Sequence, residues 1–216
     1  MSDVRILPVT AELVDYAVAR GSWPLDEVQS DLRARTRALG DVAGMQIGPD
    51  QGQLLTLLTR LVGATRAIEV GTFTGYSALC IARGLAPGGR LICCDRSEEW
   101  TAIAREAWAR AGLADRIELR LGPALETLRA LPPEPGFDLA FVDADTGGYL
   151  DYWHELVPRV RPGGLLLADN VLWSGRILDA DADDPSVQAL RAFNDAVAAD
   201  ERVEAVILPA FDGLTL

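Results

Sequence analysis

The chain has 216 residues, of which 49% are hydrophobic and 24% are charged, a balance typical of one soluble globular domain with a full-sized core. Its formal net charge of -12 argues against nucleic acid as a partner, because phosphate binding needs clustered Lys and Arg side chains. The sequence has neither a signal peptide nor an apolar run long enough for a transmembrane helix, so we expect a cytoplasmic protein without a membrane partner.

The first 44 residues show helical rather than strand periodicity. A helix is predicted over residues 10–19, with Thr10 as its cap, and Ser22-Trp23-Pro24 ends it. A second helix ends at Gly40 and places apolar side chains on roughly one face, at Leu25, Val28, Leu32 and Leu39. We divide one domain into an N-terminal helical cap or dimer segment, 1–44, and a core, 45–216. Whether the helices cover a cofactor, form a dimer contact or only cover the sheet stays open.

Residues 67–83 form the central unit of the core. A buried strand at 67–70 leads into a turn bracketed by Gly71 and Gly75, and a helix follows at 76–83. Strand, glycine turn and helix begin a doubly wound α/β fold, whose ligand lies over the carboxyl end of the strand. The turn lacks the Lys-Ser/Thr pair of a P-loop and the third glycine of a dinucleotide site. Glu69 would repel a pyrophosphate and suits a cationic or hydroxyl-bearing ligand.

The rest of the core alternates strands and helices after a helix at 51–61. Further strands are predicted at 90–94, 117–121, 137–142 and 165–168. Helices are predicted at 97–111, 124–131, 149–160 and 185–198, with a turn at 162–164 and a terminal hairpin of 203–208 with 213–216. The fold class is therefore α/β: a Rossmann-like, doubly wound, mostly parallel seven-stranded sheet with an antiparallel C-terminal strand.

Polar residues end three of these strands. Asp95 closes the second strand, where a carboxylate can hold both hydroxyls of a ribose; capping the next helix is the alternative. The next buried strands end in Asp143-Ala144-Asp145 and Asp169-Asn170, and parallel strands bring such ends to one edge. Oxygen donors without His or Cys suit a hard divalent ion such as magnesium or calcium, although separate solvated caps would also explain them.

A cofactor held by carboxylates beside an oxygen-ligated metal indicates methyl transfer. S-adenosylmethionine is a sulfonium cation with a ribose and no phosphate. A metal that chelates vicinal hydroxyls would lower the pKa of one hydroxyl and align it with the methyl group.

From about residue 40 to 216, the chain resembles the class I, metal-dependent O-methyltransferases of the caffeoyl-CoA and catechol type. The matching pieces, in chain order, are EVGTFTGYS at 69–77, Asp95, GPA at 122–124, DAD at 143–145, DN at 169–170, LWSG at 172–175 and FDGLTL at 211–216. Together and in this order, these pieces are specific for the family.

The resemblance implies a set of site residues and partners. Residues implied to bind S-adenosylmethionine are Met45, Ile47, Glu69, Gly71, Thr72, Ser77, Asp95, Ala124, Asp143, Asp145 and Tyr152. Asp143, Asp169 and Asn170 are implied to bind the metal, with Mg²⁺ preferred and Ca²⁺ or Mn²⁺ as alternatives. Trp173 and Asn170 are implied to shape the pocket for a small hydroxylated aromatic substrate, and the family is usually homodimeric.

One position departs from the family pattern. The lysine that commonly follows DAD and takes the phenol proton is Thr146 in this chain, and threonine is not a base at neutral pH. We expect acidification by the metal held at Asp143 to suffice, with help from Asp145 as an alternative. A different acceptor, a weak enzyme, a non-catalytic S-adenosylmethionine-binding protein and a nicotinamide-dependent oxidoreductase are the rival hypotheses.

Two groups are predicted to be structural. Trp100 and Trp108 lie on one helix and are expected to pack in the core or an interface. Cys80, Cys93 and Cys94 lie in apolar runs without metal or redox spacing, so we expect reduced core thiols.

Overall fold

The computed structural model describes residues 7–216 and shows a seven-stranded sheet in the order β3-β2-β1-β4-β5-β7-β6. The strands are β1 Arg66–Val70, β2 Arg90–Asp95, β3 Ile117–Leu121, β4 Phe137–Val142, β5 Val160–Ala168, β6 Ile207–Leu208 and β7 Leu214–Thr215. β7 runs antiparallel to both of its neighbours, and β1 to β5 pair in parallel. The predicted fold class is confirmed.

Helices follow the predicted order, and their starts are set by capping side chains. They are α1 Ala11–Gly21, α2 Glu27–Arg37, α3 Pro49–Leu61, α4 Tyr76–Gly84, α5 Glu98–Arg110, α6 Ala124–Ala130, α7 Tyr149–Leu156 and α8 Pro185–Ala198. The hydroxyl of Thr10 accepts from the N–H of Leu13 at 3.3 Å, as predicted for α1. Asp26 and Gln29 form a capping box that starts α2, and the helix ends at Arg37. Leu25 and Leu39, which were predicted to lie on this helix, therefore lie just outside it.

The sheet carries a hydrophobic core on each face because side chains alternate along every strand. In β1, Ala67 belongs to one core, with residues of α3, α4 and α5, whereas Ile68 and Val70 belong to the other. Burial on both faces explains why the inner strands read as continuous apolar runs. Cys80, Cys93 and Cys94 are free and buried, as expected.

The strand order reverses at β1, which has β2 on one side and β4 on the other. The carboxyl ends of strands at such a switch point border a crevice. At this point Gly71 adopts a φ of 90°, and a Cβ there would lie 1.8 Å from the carbonyl oxygen of Asp143. The ends of β1 and β4 therefore approach each other as closely as a glycine allows.

The segment between α7 and β5 differs from the prediction. The helix predicted at 149–160 ends at Leu156, a 3₁₀ turn (Val157–Arg159) follows, and β5 already begins at Val160. Residues 162–164, predicted as a turn, lie within β5. Pairing jumps from Phe137–Val160 to Leu139–Leu165, so the Pro-Gly-Gly stretch bulges out of the ladder and the strand resumes. The prediction was wrong because strand pairing overrides a local turn signal.

Of the two helices within the first 44 residues, α2 packs against the α/β core and α1 has no buried residue. Leu32 and Thr36 of α2 are buried, and Arg35 reaches Glu106 of α5 at 2.8 Å. Residues 1–6 of this segment lie outside the described part, and its role in a dimer stays a prediction.

No helix found within residues 7–216 has both the length and the apolar character that a bilayer crossing requires.

Candidate active site

The turn after β1 is fixed by the carboxylate of Asp95. Its Oδ2 accepts the N–H groups of Thr72 and Phe73 at 2.9 and 2.7 Å, and its Oδ1 accepts the N–H of Ser97 at 2.7 Å. The N-cap of α5 is Ser97, whose hydroxyl accepts the N–H of Trp100. Asp95 therefore ties the ends of β1 and β2 together, and the alternative that it caps α5 is not observed.

The ends of β1, β2 and β4 surround a cavity of about 340 Å³, the β1–β2 cavity. Most residues predicted to bind the cofactor line it: Met45, Gly71, Thr72, Asp95, Ala124, Asp143, Asp145 and Tyr152. Ile47 and Ser77 line a recess of about 20 Å³ that shares Met45, Gly71 and Asp143 with this cavity. The structure thus brings together residues that are scattered along the sequence.

Glu69 is the exception among the predicted cofactor residues. It lines none of these cavities, is 0% exposed, and neither of its carboxylate oxygens has a hydrogen-bond partner. Burial raises its pKa to about 7, although the side chains of Ser77, Cys93 and Thr72 lie around it. A buried carboxylate without a partner, next to cavity-lining residues, fits a nearby cationic group that the chain does not supply.

Two aromatic residues that the sequence did not assign to the site form one wall of the β1–β2 cavity. The rings of Phe73 and Trp100 meet edge to face with centroids 5.0 Å apart. Trp108 is buried and donates to the carbonyl of Gly75 at 3.1 Å. The prediction of core packing is therefore confirmed for Trp108, but it did not anticipate that Trp100 lines the β1–β2 cavity. The sequence feature that could have indicated this is the position of Trp100 in the first turn of α5, five residues after Asp95.

Tyr152 and Asp145 form a pair in the β1–β2 cavity. The Tyr152 hydroxyl donates to Oδ1 of Asp145 at 2.7 Å. Burial and the Asp145 carboxylate raise the pKa of Tyr152, so the phenol stays protonated and remains a donor. Asp145 lines this cavity but not the neighbouring one, which is described next.

A second cavity of about 650 Å³, the β4–β5 cavity, opens beyond the ends of β4 and β5. It shares Met45, Asp143 and Ala144 with the β1–β2 cavity. Its further lining residues are Asp41, Gly44, Gln46, Ile47, Gly48, Gln51, Asp169, Asn170, Trp173, Phe211 and Asp212. Two adjoining cavities with a common wall can hold two ligands side by side.

The three predicted metal ligands line the β4–β5 cavity. Asp169 is 2% exposed; its Oδ2 accepts from Nε2 of Gln51 at 2.6 Å, and its Oδ1 accepts the N–H of Asn170 at 2.9 Å. Burial, followed by the charges of Asp169 and Glu69, raises the pKa of Asp143, and burial also raises the pKa of Asp169. Residues 7–216 contain no metal-binding group of three or more His, Cys, Asp or Glu, so the set is two carboxylates and one amide.

Strained backbone is concentrated around the two cavities. Within the described part, the non-glycine residues with positive φ are Phe73, Asn170, Trp173, Ser174 and Phe211. All of them except Ser174, which follows Trp173, line one of the two cavities. Such conformations persist where the surrounding structure enforces them, and they cluster at ligand sites.

Thr146, at the position of the family lysine, starts a 3₁₀ turn and lines neither cavity. No other lysine can replace it, because the chain's 20 Lys and Arg residues are all arginines. His154 is exposed on α7. Apart from carboxylates, the site therefore has no obvious proton acceptor.

Comparison with known proteins agrees with this geometry. A family model described as O-methyltransferase matches residues 21–216. The chain is 36% identical over 208 residues to a probable caffeoyl-CoA O-methyltransferase 2 of Dictyostelium discoideum, covering 94% of this chain and 90% of the relative. It is 37% identical over 195 residues to a catechol O-methyltransferase of Niastella koreensis, covering 86% and 88%.

Among solved structures, an O-methyltransferase from Bacillus cereus in complex with SAH superposes with a TM-score of 0.85 at 35% identity, covering 94% of each chain. Sequence, fold and site geometry lead to one assignment: the chain belongs to the S-adenosylmethionine-dependent O-methyltransferases of the caffeoyl-CoA and catechol type.

Proposed function

We propose that this O-methyltransferase transfers the methyl group of S-adenosylmethionine to a hydroxyl of a catechol-like small molecule, with a divalent cation, preferably Mg²⁺. The observation that supports this most directly is the convergence of Asp143, Asp169 and Asn170 at one wall of the β4–β5 cavity. Because Asp143 also lines the β1–β2 cavity, an acceptor held there would adjoin the cofactor.

The side chains in and behind the wall of the β1–β2 cavity suit S-adenosylmethionine. Asp95 lies where a ribose would be held, and its two oxygens keep lone pairs beyond the three backbone bonds they accept. Phe73 and Trp100 offer apolar surface to a base. Glu69 is buried behind Thr72 and Ser77, and burial raises its pKa to about 7. A ligand with a sulfonium and an ammonium group would favour its ionised form, so the carboxylate would then supply negative potential.

The β4–β5 cavity fits a hard divalent ion. Carboxylate and amide oxygens are the ligands that Mg²⁺ and Ca²⁺ prefer, and the side chain of Asn170 bonds to no other described residue, which leaves its oxygen available. Gln51 and the backbone of Asn170 hold the Asp169 carboxylate in one orientation. When bound, such an ion would lower the pKa of a chelated hydroxyl and withdraw charge from it.

The chain's own residues would orient the acceptor and exclude water. Met45, Ile47, Trp173 and Phe211 line the β4–β5 cavity, and the last two contribute aromatic surface. A flat ring bound among these side chains would bring its hydroxyls towards the cation that Asp143 and Asn170 would hold. In-line displacement requires mainly this alignment in a dry site.

The first test is the release of S-adenosylhomocysteine, measured by mass spectrometry. Purified protein receives S-adenosylmethionine and a panel of catechols, each with Mg²⁺ and with EDTA. We expect Mg²⁺-dependent release, lowered at least about tenfold by Asp169→Asn, with weaker Mg²⁺ binding in calorimetry. Asp115→Asn is the matched control, because Asp115 is exposed near the start of β3, at the other edge of the sheet. Cofactor binding without release from any catechol would contradict the proposed acceptor.

The missing lysine gives a second test. We expect Thr146→Lys to change turnover little at pH 7, since acidification by the metal would suffice. General-base catalysis contributes about a hundredfold or more, so a rise of that size at pH 7 that disappears at pH 9 would show that the natural site lacks a base.

We further propose a homodimer, as the family resemblance implies. The exposed side chains of Val14 and Tyr16 on α1, a helix without buried residues, support an interface on this side. Light scattering after gel filtration would test it, and a monomer at micromolar concentration would contradict it.

A further inference from the structure

We infer that the acceptor is a catechol whose side chain is positively charged or neutral, and that Asp41 selects against anionic acceptors such as acyl-CoA thioesters. This inference rests on the proposed function. The relatives do not decide between the two acceptor classes, because one is named for a caffeoyl-CoA thioester and another for catechol at nearly equal identity.

The charged residues that line the β4–β5 cavity are all acidic. They are Asp41, Asp143, Asp169 and Asp212, and no arginine of the described chain belongs to the lining. A divalent cation between Asp143 and Asp169 would offset the charge of that pair. Asp41 and Asp212 would still present two negative charges to the acceptor.

The arginines close in sequence to the lining residues do not themselves line the β4–β5 cavity. Arg37, four positions before Asp41, is exposed at the end of α2, and Arg35 pairs with Glu106 at 2.8 Å. Arg33 donates to the carbonyl of Ile47 at 2.9 Å and to Gln46 at 3.3 Å, and its guanidinium lies over the ring of Tyr76. Arg176 pairs with Asp184 at 2.6 Å. Arg96 lines the β1–β2 cavity, on the cofactor side. None of them supplies the positive surface that several phosphate charges would need.

Asp41 and Asp212 differ in whether their carboxylates already accept a hydrogen bond. Oδ1 of Asp212 accepts the N–H of Ser174 at 2.5 Å, so this side chain holds the loop after Trp173. Asp41 is exposed in the 3₁₀ helix Gly40–Met45, and its side chain has no hydrogen bond or ion pair within residues 7–216. Asp41 is therefore the lining carboxylate that is free to meet the charge of an acceptor's side chain.

The geometry separates recognition of the ring from recognition of the tail. Met45, Ile47, Trp173 and Phe211 form the apolar part of the wall, where an aromatic ring loses water at little cost. Charge–charge energy falls only as the inverse of distance, so carboxylates at the rim act on a charged tail without touching it. The sign of the tail therefore decides the preference between acceptors with the same ring.

The test uses four acceptors with one catechol ring and a tail that is an amine, neutral, a carboxylate or a CoA thioester. At low salt we expect kcat/KM to fall in that order, with the amine at least about tenfold above the carboxylate. Asp41→Asn should lower the amine-to-carboxylate ratio about three- to tenfold, and Asp41→Arg should invert it. Asp115→Asn, the same change at the other edge of the sheet, should leave the ratio unchanged. Calorimetry with the S-adenosylhomocysteine-loaded protein gives the same ratios from binding alone.

The outcomes separate the two proposals. Turnover of the neutral catechol with equal rates for amine and carboxylate, or a ratio that ignores Asp41, overturns this inference and leaves the proposed function standing. Preference for the CoA thioester also overturns this inference, because a positively charged surface outside the acidic lining would then bind the phosphates. If no catechol is methylated and none binds, both proposals are wrong.

Discussion

Gly71 combines a positive φ with a place in the lining of the β1–β2 cavity, and Gly71→Ala is the sharpest test of the proposed cofactor site. Its φ of 90° would strain an alanine by about 1–2 kcal/mol. The new Cβ would also lie 1.8 Å from the carbonyl oxygen of Asp143, where ordinary contact begins at 3.4 Å. The ends of β1 and β4 would have to separate. That movement weakens the bond from the N–H of Asp143 to the carbonyl of Val70, which contributes about 1 kcal/mol.

A matched control isolates the clash from the strain. Gly63 has a φ of 65°, and a Cβ there would meet nothing within 4 Å. Gly63→Ala should therefore cost only the strain, about 1–2 kcal/mol, whereas Gly71→Ala should cost about 3–5 kcal/mol. At about 2–4 °C per kcal/mol for a chain of this size, the Tm should fall by about 2–8 °C and by about 6–20 °C respectively.

Thermal unfolding and calorimetry of S-adenosylmethionine binding measure both effects. We expect Gly71→Ala to bind the cofactor at least about tenfold more weakly, because Asp143 and Gly71 share the wall of the β1–β2 cavity. Gly63→Ala should bind it like the natural protein. Equal losses of Tm in the two variants, with cofactor affinity retained at Gly71→Ala, would refute the close approach of β1 and β4.

Three further predictions concern single side chains. Gln51→Leu removes the donor to Oδ2 of Asp169 and should weaken Mg²⁺ binding about tenfold or more in calorimetry, with cofactor affinity kept; unchanged Mg²⁺ binding would contradict it. Trp100→Ala should raise the Kd for S-adenosylmethionine about tenfold by loss of aromatic surface, with Mg²⁺ binding unaffected; an unchanged Kd would return Trp100 to a packing role. Glu69 has its pKa raised from 4.5 to about 7 by burial, so the folded state binds a proton that the unfolded state has already lost. Its contribution to stability is complete below pH 4.5 and is lost as the pH rises towards 7, by up to about 3 kcal/mol. Glu69→Gln should remove this loss when the free energy of unfolding in urea is measured from pH 4.5 to 8. If that free energy depended on pH identically in both proteins, Glu69 would be ionised throughout this range.

The alternating core was predictable because its signals are local and agree with the packing. Short runs between turns, mostly apolar in β1 and β4 and alternating with charged residues in β3, mark these three strands, and the structure confirms all three within a residue. The prediction failed at residues 157–164. There Pro162-Gly163-Gly164 is a turn signal by composition, but pairing with β4 keeps these residues in β5. A register that depends on a partner strand leaves no trace in the strand's own sequence.

The site was predictable where strands end and unpredictable where other segments cover it. Parallel topology alone brings the residues after β1, β2, β4 and β5 to one edge. Gln51 reaches Asp169 from a helix 118 positions earlier in the chain, and nothing in either segment predicts that contact. Asp41 lies in a short 3₁₀ helix and Phe211 in a turn, and the placement of both segments follows from tertiary packing. The sequence therefore indicates the residues at the strand ends, and only the structure shows which other segments line the candidate site.

Asp95 shows why residue type and position were not enough to assign a role. A carboxylate at this strand end was expected to hold a ribose, and it does line the β1–β2 cavity. The same carboxylate accepts three backbone N–H groups and so fixes the turn that begins at Gly71. Replacing Asp95 would remove the proposed ligand contact and also release the turn, so the two causes of a lost affinity could not be separated. Trp100 touches the cavity without anchoring its backbone, which makes it the cleaner probe of cofactor contact.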